Sequence, residues 1–182
     1  MSENLPEIMP GAGAQFHPGN TIGCLLIHGY MASPGEVGWM GAYLAEQGYT
    51  VSVPRLPGHG IDPTHMPRMR WQDWYAHILD MYDVLAAQCE RVYVIGHSMG
   101  GMLATLLASQ RQVAGLVIAD TPFILNDARM QYAKPISVIK PYMDFPTGDD
   151  LQHTILTEQK KRGEALTGRV NYSKWATRAV HE

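Results

Sequence analysis

The chain has 182 residues, a length typical of a single domain. Hydrophobic residues make up 46% of it and charged residues 17%, so the composition excludes a chain that is mainly disordered. A formal net charge of −3 excludes the basic surface that nucleic-acid-binding proteins present, and we expect no nucleic-acid partner.

The cysteines and the apolar segments restrict where the protein works. Cys24 and Cys89 are isolated in the sequence, so they predict neither a disulfide framework nor a metal site, and we expect them to pack as small hydrophobic residues. Residues 1–7 lack the basic segment and apolar run of a signal peptide. The most apolar stretch, residues 92–108, is interrupted by polar residues and glycines. These features predict a cytoplasmic protein without integral membrane association.

Strand-like and helix-like segments alternate along the first 120 residues. Residues 24–28 form a continuous apolar run, which is typical of a strand covered on both faces. Ser33 and Glu36 have the spacing of a capping box, and Gly48 suits the end of the helix that they open. Connections of this length predict parallel strands and an α/β fold. The predicted strands are 15–17, 24–28, 49–54, 91–95 and 115–120, and the predicted helices are one beginning at Pro34, 71–89 and 100–109.

The pattern changes after residue 120. Residues 121–182 contain four prolines, scattered polar residues and short helix-like pieces such as 151–163, and they contain no further apolar strand. We therefore predict that residues 1–120 form the core, a mostly parallel sheet with flanking helices. Residues 121–182 are predicted to form a cap or lid over one edge of that sheet.

The strongest chemical signal is Gly96-His97-Ser98-Met99-Gly100, which matches G-x-S-x-G between a predicted strand and a predicted helix. In that setting the serine occupies a sharp turn that presents its hydroxyl above the sheet, and Gly96 and Gly100 leave room for the backbone. The amide of Met99 then lies at a helix N-terminus, where it would face the oxyanion of a tetrahedral intermediate. The motif predicts that Ser98 is a nucleophile; an ordinary glycine-rich turn is the alternative.

A second signal, His28-Gly29-Tyr30, follows the apolar strand at residues 24–28. Open α/β sheets bind ligands at the carboxyl ends of their strands, and the loop at this place supplies the second amide of an oxyanion hole. The backbone N–H of Tyr30 is therefore the candidate donor. Gly29 would allow a close backbone approach, and we expect His28 to brace the loop. A plain turn leaving the strand is the alternative.

Several segments together resemble one protein superfamily. The segments LLIHGYMASPGE, YTVSVPRLPGHG, WQDWYAHI and VIGHSMGG are similar to the α/β-hydrolases, and within them to the bacterial carboxylesterase and monoacylglycerol lipase branch. The resemblance implies that Ser98 is the acyl-accepting nucleophile and that the amides of Tyr30 and Met99 form the oxyanion hole. It also implies a small acyl-ester or lipid-like substrate and a cap over an apolar acyl pocket. The sequence has no metal-ligand or nucleotide-binding motif, so we expect no cofactor and no metal.

The sequence departs from that family after the cap. Members carry an Asp and then a His on loops that follow later strands, and residues 121–182 show no such strand. We interpret the sequence as the amino-terminal part of a longer hydrolase and expect these 182 residues alone to be inactive. Within the chain, His97 and His181 are weak candidates for the base, and Asp120 for the acid.

Two functions are therefore carried forward. The first is a serine hydrolase that cleaves short or medium acyl esters, or monoacylglycerol, through an acyl-enzyme on Ser98. The second is a non-catalytic binder of apolar ligands, or an inactive fragment that lacks the triad Asp and His.

Overall fold

A computed structural model describes residues 6–124, 135, 137, 139–144 and 174–176, and the statements below concern these residues. Strands and helices alternate up to residue 119, as the sequence predicts. A 3-10 helix, Pro63–Arg68, precedes the second α-helix. The strands are β1 Gln15–His17, β2 Ile22–Ile27, β3 Thr50–Val53, β4 Arg91–His97, β5 Gly115–Ala119, β6 Tyr142–Asp144 and β7 Lys174–Ala176; the α-helices are α1 Gly35–Glu46, α2 Trp71–Ala86 and α3 Met99–Gln110.

The first five strands form one sheet in the order β1-β3-β2-β4-β5. β1 runs antiparallel to β3, and every other neighbouring pair in this sheet is parallel. The predicted α/β fold with a mostly parallel sheet is thus confirmed. None of the helices in the described segments is long and apolar enough to cross a membrane.

The strand register determines which loops meet. Ile27 at the end of β2 lies opposite Gly96 in β4, and Gly96 lies opposite Ile118 in β5. The carboxyl ends of β2, β4 and β5 therefore lie level at one edge of the sheet. The residues that follow β2 and β4, His28 and Ser98, are brought together at that edge.

Hydrophobic clusters cover both faces of the sheet. On one face Leu25 and Ile27 of β2 pack with the buried sides of α2 and α3, and on the other Cys24 and Leu26 pack with α1 and β3. The alternation explains why residues 24–27 are apolar without a break. Both cysteines of the chain are buried and free.

The predicted capping box at the start of α1 is wrong. The helix begins at Gly35, Pro34 takes the cap position, and no side chain caps the helix. The hydroxyl of Ser33 is buried without a hydrogen-bond partner among the described residues. The carboxylate of Glu36 accepts from the N–H of Gly29 instead, 2.7 Å away, because the loop after β2 packs against this turn. The predicted helix end is confirmed, since Gly48 follows α1 with φ at +88°.

A short antiparallel ribbon formed by β6 and β7 was not predicted. Each of its strands has only three residues, too few for alternation to be recognised in a sequence. The helix-like piece expected at 151–163 lies outside the described residues. The division of the chain at residue 120 into a core and a cap remains a prediction.

The strand β5 is exposed along its length. Leu116, Val117 and Ile118 all have exposed side chains, and among the described residues β5 pairs only with β4. An apolar strand with a free edge is a template for pairing with other strands.

We therefore expect the 182-residue chain to self-associate through β5. Val117→Lys should lower the associated fraction in size-exclusion chromatography with light scattering, because it places a charge on the exposed strand. Val84→Lys on α2 is the matched control, since Val84 is 46% exposed and Val117 53%. Equal association of both variants and the parent chain would contradict this account.

Candidate active site

Ser98 occupies a one-residue turn between β4 and α3. Its φ of 53° and ψ of −121° lie outside the regions that residues other than glycine normally adopt. Two backbone hydrogen bonds hold the turn: Ser98 N–H donates to the oxygen of Ala119 at 2.9 Å, and Gly101 N–H donates to the oxygen of Ser98 at 2.9 Å. The Ser98 side chain is half-buried.

The glycines on either side of Ser98 are packed against backbone. A Cβ on Gly96 would lie 2.6 Å from the Cα of Gly101, and a Cβ on Gly100 would lie 2.6 Å from the oxygen of His28. A side-chain carbon does not approach a backbone carbon or oxygen atom so closely. A side chain at either position would therefore displace the backbone around it. The first turn of α3 therefore reaches both β4 and the end of β2.

The loop after β2 packs directly on the serine. A Cβ on Gly29 would lie 3.2 Å from the Cβ of Ser98, which leaves little room for a side chain between the two. The loop turns sharply, since Met31 has a φ of 52°. The phenol of Tyr30 donates to the oxygen of Ala176 at 2.8 Å, so the loop also contacts the ribbon.

His28 braces this loop from below. Its ring is completely buried, and the N–H of Leu56 donates to Nε2 at 3.2 Å. Nε2 is therefore the unprotonated nitrogen, and Nδ1 donates to the oxygen of Gly29 at 2.9 Å. Burial lowers the pKa of His28 to about 4, so the ring is neutral at physiological pH.

A second histidine, His59, lies beneath the loop in an aromatic cluster. Its ring is 5.0 Å from that of His28 and 5.5 Å from that of Trp74, measured between centroids. His59 makes a local hydrogen bond, since Nδ1 lies 3.1 Å from the oxygen of Pro57. The ring of His59 is completely buried although it lies in a loop, and burial lowers its pKa well below the ordinary value.

The sequence did not indicate that Glu36 and His97 lie in contact beside the site. Nδ1 of His97 lies 3.0 Å from Oε2 of Glu36, close enough for an ion pair although not aligned as a hydrogen bond. The same oxygen accepts the N–H of Gly29. Glu36 and His97 are separated by 61 positions in the sequence, so no local sequence pattern predicts their contact.

No base for Ser98 is present in the described part of the chain. There the Ser98 hydroxyl makes no hydrogen bond to another residue, and His97 is directed to Glu36. Asp120, the candidate acid, is exposed and forms no described hydrogen bond or ion pair. His181 lies outside the described residues. No group of three or more potential metal ligands occurs among the described residues.

The buried histidines predict a loss of stability in acid. Below pH 6.5 the unfolded chain binds a proton at His28, whereas the folded chain does not until about pH 4, so unfolding becomes easier as the pH falls. For His28 the loss between pH 7.5 and 5 is on the order of 2 kcal/mol. Urea melts should show a smaller pH dependence of stability for His28→Asn than for the parent chain. An unchanged slope in His28→Asn would contradict the neutral buried ring.

Comparisons with known proteins identify the family of this chain. The model of the alpha/beta hydrolase family matches residues 24–180. The chain is 36% identical over 118 residues to the thermostable monoacylglycerol lipase of Bacillus sp. (strain H-257), covering 64% of this chain and 47% of the lipase. It is 29% identical over 122 residues to a carboxylesterase of Bacillus subtilis (strain 168), covering 66% and 50%. The chain thus spans about half the length of the curated relatives it matches.

Solved structures show the same fold. A structure from work on the metagenome-derived lipolytic enzymes LipS and LipT superposes with a TM-score of 0.82 at 24% identity, covering 96% of this chain and 67% of that one. The monoacylglycerol lipase of Paleococcus ferrophilus superposes with a TM-score of 0.67 at 15% identity, covering 92% and 66%. With the family match over most of its length, the chain belongs to the alpha/beta hydrolase family.

Proposed function

We propose that this protein is a serine hydrolase of carboxylic esters and that Ser98 is its nucleophile. The observation that carries the proposal is the strained turn at Ser98, at the carboxyl edge of the sheet and packed against the loop after β2. Strain of this kind persists only where the surrounding structure imposes it, and it is concentrated at functional sites. The matched relatives include proteins named as a lipase and a carboxylesterase.

The proposed oxyanion hole consists of two backbone amides. Met99 is the first residue of α3, and the first amides of a helix have no acceptor within it. Its N–H therefore suits the negative oxygen that forms when the Ser98 hydroxyl attacks an ester carbonyl. The amide of Tyr30, in the loop against Ser98, is the proposed second donor.

The proposed reaction forms an acyl-enzyme. A base removes the proton of the Ser98 hydroxyl as Oγ attacks the carbonyl carbon, and collapse of the tetrahedral intermediate expels the alcohol, which takes up that proton. Water then attacks the acyl-enzyme and releases the acid. Both ring nitrogens of His28 are occupied by backbone groups, and His97 is directed to Glu36, so we propose that the base comes from outside the described residues.

The proposed substrates are short or medium acyl esters or monoacylglycerols, as the names of the two Bacillus relatives suggest. Residues 121–182 are the proposed cap over the acyl-binding pocket. The alternative, a non-catalytic binder of apolar ligands, retains one supporting observation: the Ser98 hydroxyl has no base partner within the described residues.

A fluorophosphonate probe tests the nucleophile in the complete protein, because it reacts covalently with an activated serine. We expect the probe to attach to Ser98, located by peptide mass mapping, and Ser98→Ala to abolish labelling. In the complete protein we also expect Ser98→Ala to lower kcat for p-nitrophenyl butyrate by roughly 10³-fold or more.

Ser109→Ala is the matched control, since Ser109 is an exposed serine on the same helix. Labelling and turnover of that variant should equal those of the parent. Labelling that persists in Ser98→Ala would overturn the assignment. Ligand binding without either labelling or turnover would favour the non-catalytic alternative.

A further inference from the structure

We propose that Glu36 is a positioning residue that fixes the loop after β2 in the orientation the oxyanion hole requires. This inference rests on the function proposed above. Glu36 touches no reacting atom in that proposal; it would act through the backbone of Gly29 and through His97.

One carboxylate oxygen joins the two segments of the site. Oε2 of Glu36 accepts the N–H of Gly29 at 2.7 Å and lies 3.0 Å from Nδ1 of His97. Gly29 directly precedes Tyr30, and His97 directly precedes Ser98. Glu36 therefore contacts the residue next to a proposed oxyanion donor and the residue next to the proposed nucleophile.

Gly29 needs such an anchor because glycine has little conformational preference of its own. The peptide group before Gly29 is held by its N–H, which donates to Glu36. The peptide group after Gly29 is held by its oxygen, which accepts from Nδ1 of His28. Because the peptide group is planar and trans, the oxygen of Gly29 and the N–H of Tyr30 point in opposite directions. Together, Glu36 and His28 determine where the N–H of Tyr30 points.

The position of Glu36 makes it a rigid anchor. It lies in the first turn of α1, where the helix N-terminus favours a negative charge. Its side chain is only 8% exposed, so little freedom remains to be lost in holding Gly29. The carboxylate does not cap its own helix; it accepts the N–H of Gly29 and lies beside Nδ1 of His97.

Kinetic constants distinguish a role of Glu36 in positioning the oxyanion donor from a role in the stability of the fold. In the complete protein we expect Glu36→Ala to lower kcat for p-nitrophenyl butyrate about tenfold or more while KM changes less than about threefold. A misplaced oxyanion donor weakens binding of the transition state more than binding of the substrate. Glu36→Gln should restore most of the loss, since its amide oxygen can accept the N–H of Gly29. Glu46→Ala, at the exposed end of the same helix, should behave as the parent.

Amide hydrogen exchange measured by NMR gives a readout that does not depend on turnover. In Glu36→Ala the N–H of Gly29 should exchange about tenfold faster or more, and the Tyr30 amide resonance should shift, whereas both should stay near the parent in Glu36→Gln. Unchanged kcat in Glu36→Ala, or unchanged Gly29 exchange, would overturn the inference.

Different results would contradict the proposed function of Ser98 and the proposed positioning role of Glu36. Parent-like turnover in Ser98→Ala would remove the proposed function, while the exchange measurements would still decide whether Glu36 holds the loop. Loss of turnover in Ser98→Ala together with parent-like kcat in Glu36→Ala would remove only the role of Glu36. Equal losses in Glu36→Ala and Glu36→Gln would also contradict it, because the Gln side chain keeps the acceptor.

Discussion

Two backbone segments meet at Ser98 with little room for side chains between them. The loop after β2 approaches through Gly29, and the first turn of α3 approaches through Gly100. This contact requires that β2 and β4 end level, which the pairing of Ile27 with Gly96 provides. The left-handed φ of Ser98 follows from the same constraint, since the chain must reverse within one residue between the strand and the helix. The register of the strands therefore determines that the loop after β2 and the turn at Ser98 lie in contact.

Holding these backbones in contact requires polar groups below the surface. His28 is fully buried and uses both ring nitrogens for backbone groups of two different loops. His59 lies against it, and burial keeps both rings neutral by lowering their pKa values. The same two histidines therefore support the loop after β2 and make the stability of the fold sensitive to acid. The loop that carries the proposed oxyanion donor is supported by protein interior on this side rather than by solvent.

The sequence predicted the features of the site that depend on local patterns. The turn at Ser98 and the strand and helix beside it could be read from G-x-S-x-G, because the glycine spacing reflects a purely local steric requirement. The approach of Gly29 followed from its place after an apolar strand. In contrast, the predicted cap by Ser33 was wrong, since the same pattern of residues is compatible with the side chain of Glu36 turning towards another loop.

Contacts between distant residues could not be predicted. The approach of Glu36 to His97 depends on how α1 packs on the sheet, and a single sequence carries no signal for that. The burial of His59 depends on Trp74, which is contributed by a different element. The strands β6 and β7 were missed because three residues are too few to show a period.

The most direct test of the proposed site is a crystal structure of the protein after reaction with a fluorophosphonate. The phosphonyl group mimics the tetrahedral intermediate, so its oxygen marks where the oxyanion would lie. We expect a covalent bond to Oγ of Ser98 and the phosphonyl oxygen within about 3 Å of the amide nitrogens of Tyr30 and Met99. An adduct on another residue, or a phosphonyl oxygen directed away from both amides, would contradict the account.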